Sequence, residues 1–200
     1  MKRNLRVMYG ILMLSAVLIT SCATTKVSSV WKDREYNIQP KKIMVIGIAK
    51  SSADKRITED EFVRQIKERG TDAVASYMVL PDSKQSNDVA IEEKVKELGA
   101  DAMLIARLVS REAVRPTSAA AISPSVGFGT WHSFFGLSYQ MSSSGYDRYM
   151  IMETNLYQVS KDNLIWAATS RTEIDGSDQK NIQSYISVMV KSMIEYKLLK

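Results

Sequence analysis

The stretch that most constrains this chain is Lys42-Ile43-Met44-Val45-Ile46-Gly47-Ile48-Ala49, bounded by Pro40 and Lys50. A strand with one wet face alternates apolar and polar residues. A short unbroken run rich in β-branched residues instead belongs to a central strand buried on both faces. The next 60 residues supply what such a strand needs. Thr58-Glu59-Asp60-Glu61 has the form of a capping box, and Phe62, Val63 and Ile66 precede Gly70, so the spacing predicts a helix over 59–69. Ala73 to Leu80 reads as a second strand stopped by Pro81-Asp82. Asn87 or Asp88 then caps a helix through Ile91, Val95 and Leu98, ended by Gly99, and Asp101 to Val109 is a third strand. Strand, helix, strand, helix, strand in so few residues requires right-handed crossovers and parallel pairing.

Further on, Asp147 to Val159 alternates, Lys161-Asp162-Asn163 makes a turn, and Leu164 to Thr169 returns, which is a β-hairpin. Asp178 caps a last helix whose Ile182, Ile186, Met189, Val190, Met193 and Ile194 share one face. The fold class that follows is α/β: two βαβ crossovers, then a β-hairpin and a C-terminal helix, forming a mixed sheet with helices packed on it. Residues 42–200 form this single domain.

The N-terminus has a different logic. Lys2, Arg3 and Arg6 precede an uncharged, mostly apolar run from Val7 to Ile19 and the small polar pair Thr20-Ser21. That is the layout of a secretory signal over residues 1–21, and the run is shorter than the roughly 20 residues a bilayer span needs. Ile19-Thr20-Ser21-Cys22 resembles the lipobox of bacterial lipoproteins. The resemblance implies a signal cut before Cys22, a diacylated thiol and an acylated amine. Cys22 is the single cysteine in 200 residues, which excludes a disulfide within the chain and a cysteine-cluster metal site. Ala23 at the next position, where Asp would retain a lipoprotein at the inner membrane, implies the inner leaflet of the outer membrane, facing the periplasm. Residues 22–41 read as the lipidated cysteine and a polar tether, with Val30, Trp31 and Tyr36 able to dock on the domain.

Removing residues 1–21 takes Lys2, Arg3 and Arg6 from the 27 basic residues and none of the 22 acidic ones, so the net charge falls from +5 to about +2. A chain so nearly balanced lacks the basic surplus of a nucleic-acid binder. No Gly-x-Gly-x-x-Gly or phosphate-loop pattern follows the first strand, so no nucleotide is expected, nor any other cofactor. His132 is the single histidine, which leaves no histidine pair for a metal, and no Gly-x-Ser-x-Gly elbow is present. Glu59, Asp60, Glu61, Glu92 and Glu93 fall in first turns of the expected helices, where negative charge favours the dipole. No catalytic constellation emerges, and the chain reads as a non-enzyme.

Pro116 to Gly145 is thirty residues without a formal charge, containing eight serines and the aromatics Phe128, Trp131, Phe134, Phe135 and Tyr139. A long loop without secondary structure is usually functional or disordered, and disordered tracts are poor in aromatics. Two readings stand. In one the excursion folds back over the sheet; in the other these five aromatics contact a partner protein or the membrane.

Lys42 to Ile48, Thr58 to Val63, Gly70 and Ala73 to Asp82 together look like a group of uncharacterised bacterial lipoproteins. Tyr157-Gln158-Val159, Leu164-Ile165-Trp166 and the last helix echo their closing elements. The domain is similar to the anticodon-binding-like α/β domain of envelope lipoproteins, including penicillin-binding-protein activators and curli-secretion components. The resemblance implies a non-catalytic binding or assembly module contacting another envelope component. The alternatives are a purely structural outer-membrane lipoprotein and a hydrolase using His132.

Overall fold

The computed structural model describes residues 24–49, 51–81, 84, 87–112, 130–132 and 149–200. The expected signal over residues 1–21, Cys22, and Phe128, Phe134, Phe135 and Tyr139 lie outside them. In chain order the elements are β1 (Thr25–Lys32), β2 (Lys42–Ile48), α1 (Ser52–Glu68), β3 (Asp72–Ala75), α2 (Ser76–Val79), α3 (Asp88–Glu97), β4 (Ala102–Glu112), β5 (Tyr149–Gln158), β6 (Asn163–Glu173) and α4 (Asp178–Glu195). The six strands form one sheet in the order β1-β6-β5-β4-β2-β3. β2 pairs parallel with β3 and β4, and the remaining pairs are antiparallel. The α/β class, the mixed sheet and the closing hairpin and helix are as the sequence predicts.

Each face of the sheet has its own core. Ile43, Val45, Leu104 and Leu156 meet Phe62 and Ile66 of α1 and Tyr185, Ile186 and Met189 of α4 on one side. Met44, Ile46, Met103 and Ile105 meet Ile91 and Val95 of α3 on the other. The side-chain period of two in β2 and β4 sends successive residues to opposite helical layers, which is why these strands lack polar alternation. Phe62 and Tyr185 join α1 to α4 edge to face, with centroids 5.8 Å apart, and the Tyr185 hydroxyl hydrogen-bonds Thr154 on β5.

Four expectations are corrected. Residues 25–32, taken as part of a tether, form the edge strand β1, paired with β6 from Thr25↔Thr172 to Lys32↔Trp166. Its periodicity is hidden because an edge strand buries little and a bulge between Val27 and Ser29 shifts its register. The first helix begins at Ser52, capped by the Ser51 hydroxyl, so Thr58 and Glu59 are buried in its middle and the apparent capping box is none. Glu59 therefore does not serve a first turn. The strand from Ala73 stops at Ala75 and turns into α2, because Ser76 and Tyr77 bond to the Glu59 carboxylate. Ser177, rather than Asp178, caps α4. Asn87 caps α3, its Oδ1 accepting from Ala90 N–H at 2.9 Å.

Because β1 is part of the sheet, a chain shortened to begin at Lys41 loses a whole edge pairing and exposes β6. Its thermal midpoint is expected to fall by roughly 10 °C or more, as a loss of several kcal/mol does in a domain this size. A chain starting at Ala23 keeps its midpoint; equal midpoints for the two would restore the tether.

Candidate functional site

The crossover through α1 carries the chain from β2 outward to β3 across one face. The crossover through α3 carries it back past β2 to β4 across the other. They leave the carboxyl ends of β2 and β3 on opposite faces, whereas α1 and α4 share one face, where their first turns flank a gap beyond the carboxyl ends of β2 and β4. A pocket occupies that place. It holds about 430 Å³ of empty space, counted out to its open mouth. Ile48 and Ala49 at the end of β2, Ala106 and Leu108 on β4, and Met150 and Met152 on β5 form its floor. Asp54 and Thr58 of α1 and Asp178 and Ile182 of α4 form the walls. The lining is aliphatic and thioether, with two carboxylates from helix first turns, a composition suited to an apolar group with a polar head.

Glu59 builds the crevice from behind. Its side chain is fully buried and accepts from Gly47 N–H at 2.8 Å, the Ser76 hydroxyl at 2.7 Å and Tyr77 N–H at 3.0 Å, with Lys55 Nζ at 3.8 Å. Burial pushes its carboxyl above the ordinary 4.5, while the bonds from Gly47, Tyr77 and Ser76 and the Lys55 charge pull the other way. One side chain thus fixes the end of β2, the middle of α1 and the start of α2.

On the opposite face, Arg107 and Glu153 sit directly across β4 and β5 and form a buried ion pair. Nη2 and Nε lie 2.6 and 3.0 Å from one carboxylate oxygen. Asn155 Nδ2 reaches Glu153 at 3.5 Å and the Tyr157 hydroxyl at 3.3 Å. Asn155 Oδ1, also buried, accepts no hydrogen bond among the described residues. Arg107 and Glu153 were not singled out in the sequence, and Glu59 was expected only as a first-turn charge. The available signal was a pair of opposite charges, each set inside an otherwise buried strand, since such charges are buried only when paired.

Of the two readings of the uncharged stretch, one put Trp131 in a contact surface and the other folded it back over the sheet. Trp131 is 3% exposed and packs in the second core beside Tyr157 and Leu164, and its backbone N–H donates to Asp162 Oδ1 at 3.3 Å. At this residue the excursion folds back, because an indole offers more apolar area to a core than any other side chain. His132 is half-buried, with its ring 3.8 Å from that of Trp131. Nδ1 lies 3.4 Å from Asp88 and Nε2 3.5 Å from Glu92, both on α3. These neighbours orient the imidazole and hold the 130–132 turn on the helix. His132 and the crevice lining share no residue.

No family model matches the chain, and no curated protein matches it. Among solved structures it is similar to the PelC dodecamer from Paraburkholderia phytofirmans. A crystal in space group P6 has a TM-score of 0.45 and 13% identity, covering 84% of this chain and 96% of that one. A point variant in space group C2 has a TM-score of 0.44 and 14% identity over the same shares.

Two outcomes follow from the buried groups. Trp131→Ala is expected to lower unfolding free energy by about 3–5 kcal/mol in chemical denaturation, the cost of truncating a core aromatic. Since the Glu59 carboxyl is raised in the folded state, the native protein binds more protons than the unfolded chain above pH 4.5. Stability should therefore decline as pH rises from 4.5 through the folded value. In Glu59→Gln that slope should be absent from denaturation series across pH.

Proposed function

We propose that this protein is a lipid-anchored component of a bacterial cell envelope that acts by non-covalent binding. One observation supports this reading above the others. Among the described residues, sheet pairing is already in place at Thr24, whose carbonyl accepts from Glu173 N–H at 3.1 Å, two residues after Cys22. A chain cut before Cys22 would therefore reach the sheet within two residues of its new amino terminus. An acylated Cys22 would be both the first residue of the mature chain and its attachment point. With each buried methylene worth about 0.8 kcal/mol, two or three acyl chains make such an anchor permanent. Ala23 directs it to the inner leaflet of the outer membrane.

The binding role draws on the crevice, whose apolar floor and polar rim suit an apolar group. It also draws on Phe128, Phe134, Phe135 and Tyr139, proposed as contacts for an envelope protein, with Trp131 securing their segment to the core. A second reading, a purely structural outer-membrane lipoprotein, is favoured by the burial of Trp131. A hydrolytic role for His132 has only the carboxylates of Asp88 and Glu92 and the ring of Trp131 to draw on.

Cys22→Ser is expected to abolish incorporation of labelled palmitate and to remove the mature protein from the membrane pellet. Retention of both would overturn lipid anchoring. In cells, a photoreactive side chain at Phe134 should yield one dominant crosslinked protein if the module binds a partner, and only intramolecular products if the structural reading holds.

A further inference from the structure

We infer that the β1 side of the domain lies flat on the bilayer, with Lys26, Trp31 and Arg171 as its lipid-facing residues. This inference rests on the lipid anchor proposed for Cys22. Ala23 alone separates Cys22 from Thr24, so the Cα of the cysteine is held within about 7 Å of the sheet by covalent length. The start of β1 is also fixed from the side: the Thr25 hydroxyl hydrogen-bonds both Thr172 on β6 and Ser184 on α4 at 2.9 Å. A lipid attached there is tethered by a single residue, and it keeps that end of the edge strand beside the bilayer.

From that corner the domain can stand on the end of the sheet or lie along β1. The side chains favour lying down. α4 covers one face of β6, and there Ser170, Thr172 and Trp166 are fully buried. On the other face, Lys26 pairs across from Arg171, and both are exposed. Trp31 on the same strand is 39% exposed, and the Arg171 guanidinium stacks over the Tyr149 ring at 3.6 Å. Lysine, arginine and half-exposed tryptophan are the residue types that settle at the headgroup level of a membrane, the cations on phosphates and the indole at the apolar boundary. Val27 and Ile38, also exposed, lie within the same first segment. An edge strand ordinarily invites pairing with another chain, and a lipid surface along β1 removes that hazard.

The chain carries its own probe. Of its three tryptophans, Trp131 and Trp166 are 3% and 0% exposed, so Trp31 is the one that external quenchers reach directly. The full chain, exported and processed in a bacterial host, is reconstituted in phosphatidylethanolamine–phosphatidylglycerol vesicles with and without brominated acyl chains. Mass spectrometry of the same sample reports the lipid on Cys22. The expected result is loss of tryptophan emission with brominated lipid, with little loss in Trp31→Phe. Trp31 lies six positions along β1 from Thr25, roughly 20 Å at strand rise, so a domain standing on its end would keep Trp31 clear of the bilayer. Lipid on Cys22 with unquenched Trp31, or Trp31 shielded by β1 pairing in a dimer, overturns the orientation and leaves the anchor standing. Absence of lipid on Cys22 overturns the anchor and the orientation with it.

Discussion

The carboxylate of Glu59 is the constraint from which much of this fold follows. It lies in the middle of α1 and accepts hydrogen bonds from the last turn of chain in β2 and from the first residues of α2. A charge there needs close donors, because burial without them costs several kcal/mol. Gly47 makes the approach feasible. A Cβ at that position would stand 3.2 Å from the Lys55 carbonyl and 3.3 Å from Glu59 Cγ, closer than side-chain carbons normally sit. The missing side chain lets α1 settle against the carboxyl end of β2. That seating ends β3 at Ala75 and leaves Ile48 and Ala49 at the floor of the crevice.

The sheet joins two kinds of pairing around that point. Its parallel part, β3-β2-β4, is covered by helices on both faces, as crossovers require. Its antiparallel part, β5-β6-β1, is covered by α4 on one face, where Ser170, Thr172 and Thr154 are buried. At the boundary between the parts, the second face carries the Arg107–Glu153 pair. Replacing both charges by well-packed apolar residues is often neutral, whereas leaving one alone is strongly unfavourable, so a pair like this fixes register more than it adds stability. The crevice, the N-terminal turns of α1 and α4 and the start of β1 all lie at the same end of the sheet, since β1 runs antiparallel to β2 and β4.

Much of this was legible in the chain. The buried strands β2 and β4, the hairpin of β5 and β6, and the apolar stripes of α1, α3 and α4 each carry enough periodicity to be read directly. The elements that escaped are those whose cause is distant. β1 has few buried residues and derives its order from pairing with β6, some 140 residues later. The segment after Ala75 has strand-like composition, yet Glu59 turns it into helix; local propensity yields when a buried acceptor must be satisfied. The candidate crevice was illegible for a related reason. Its residues come from five separate elements, and none carries a motif.

By itself the sequence determined the α/β class and the order of the central elements, because each is written in contiguous residues through hydrophobic periodicity. Tertiary structure alone decided that residues 25–32 close the sheet, that Glu59 is a clasp rather than a helix-end charge, and that Trp131 belongs to the core. Those outcomes depend on which side chains meet across long stretches of chain, and on the free energy of burying an indole or pairing a carboxylate once they do.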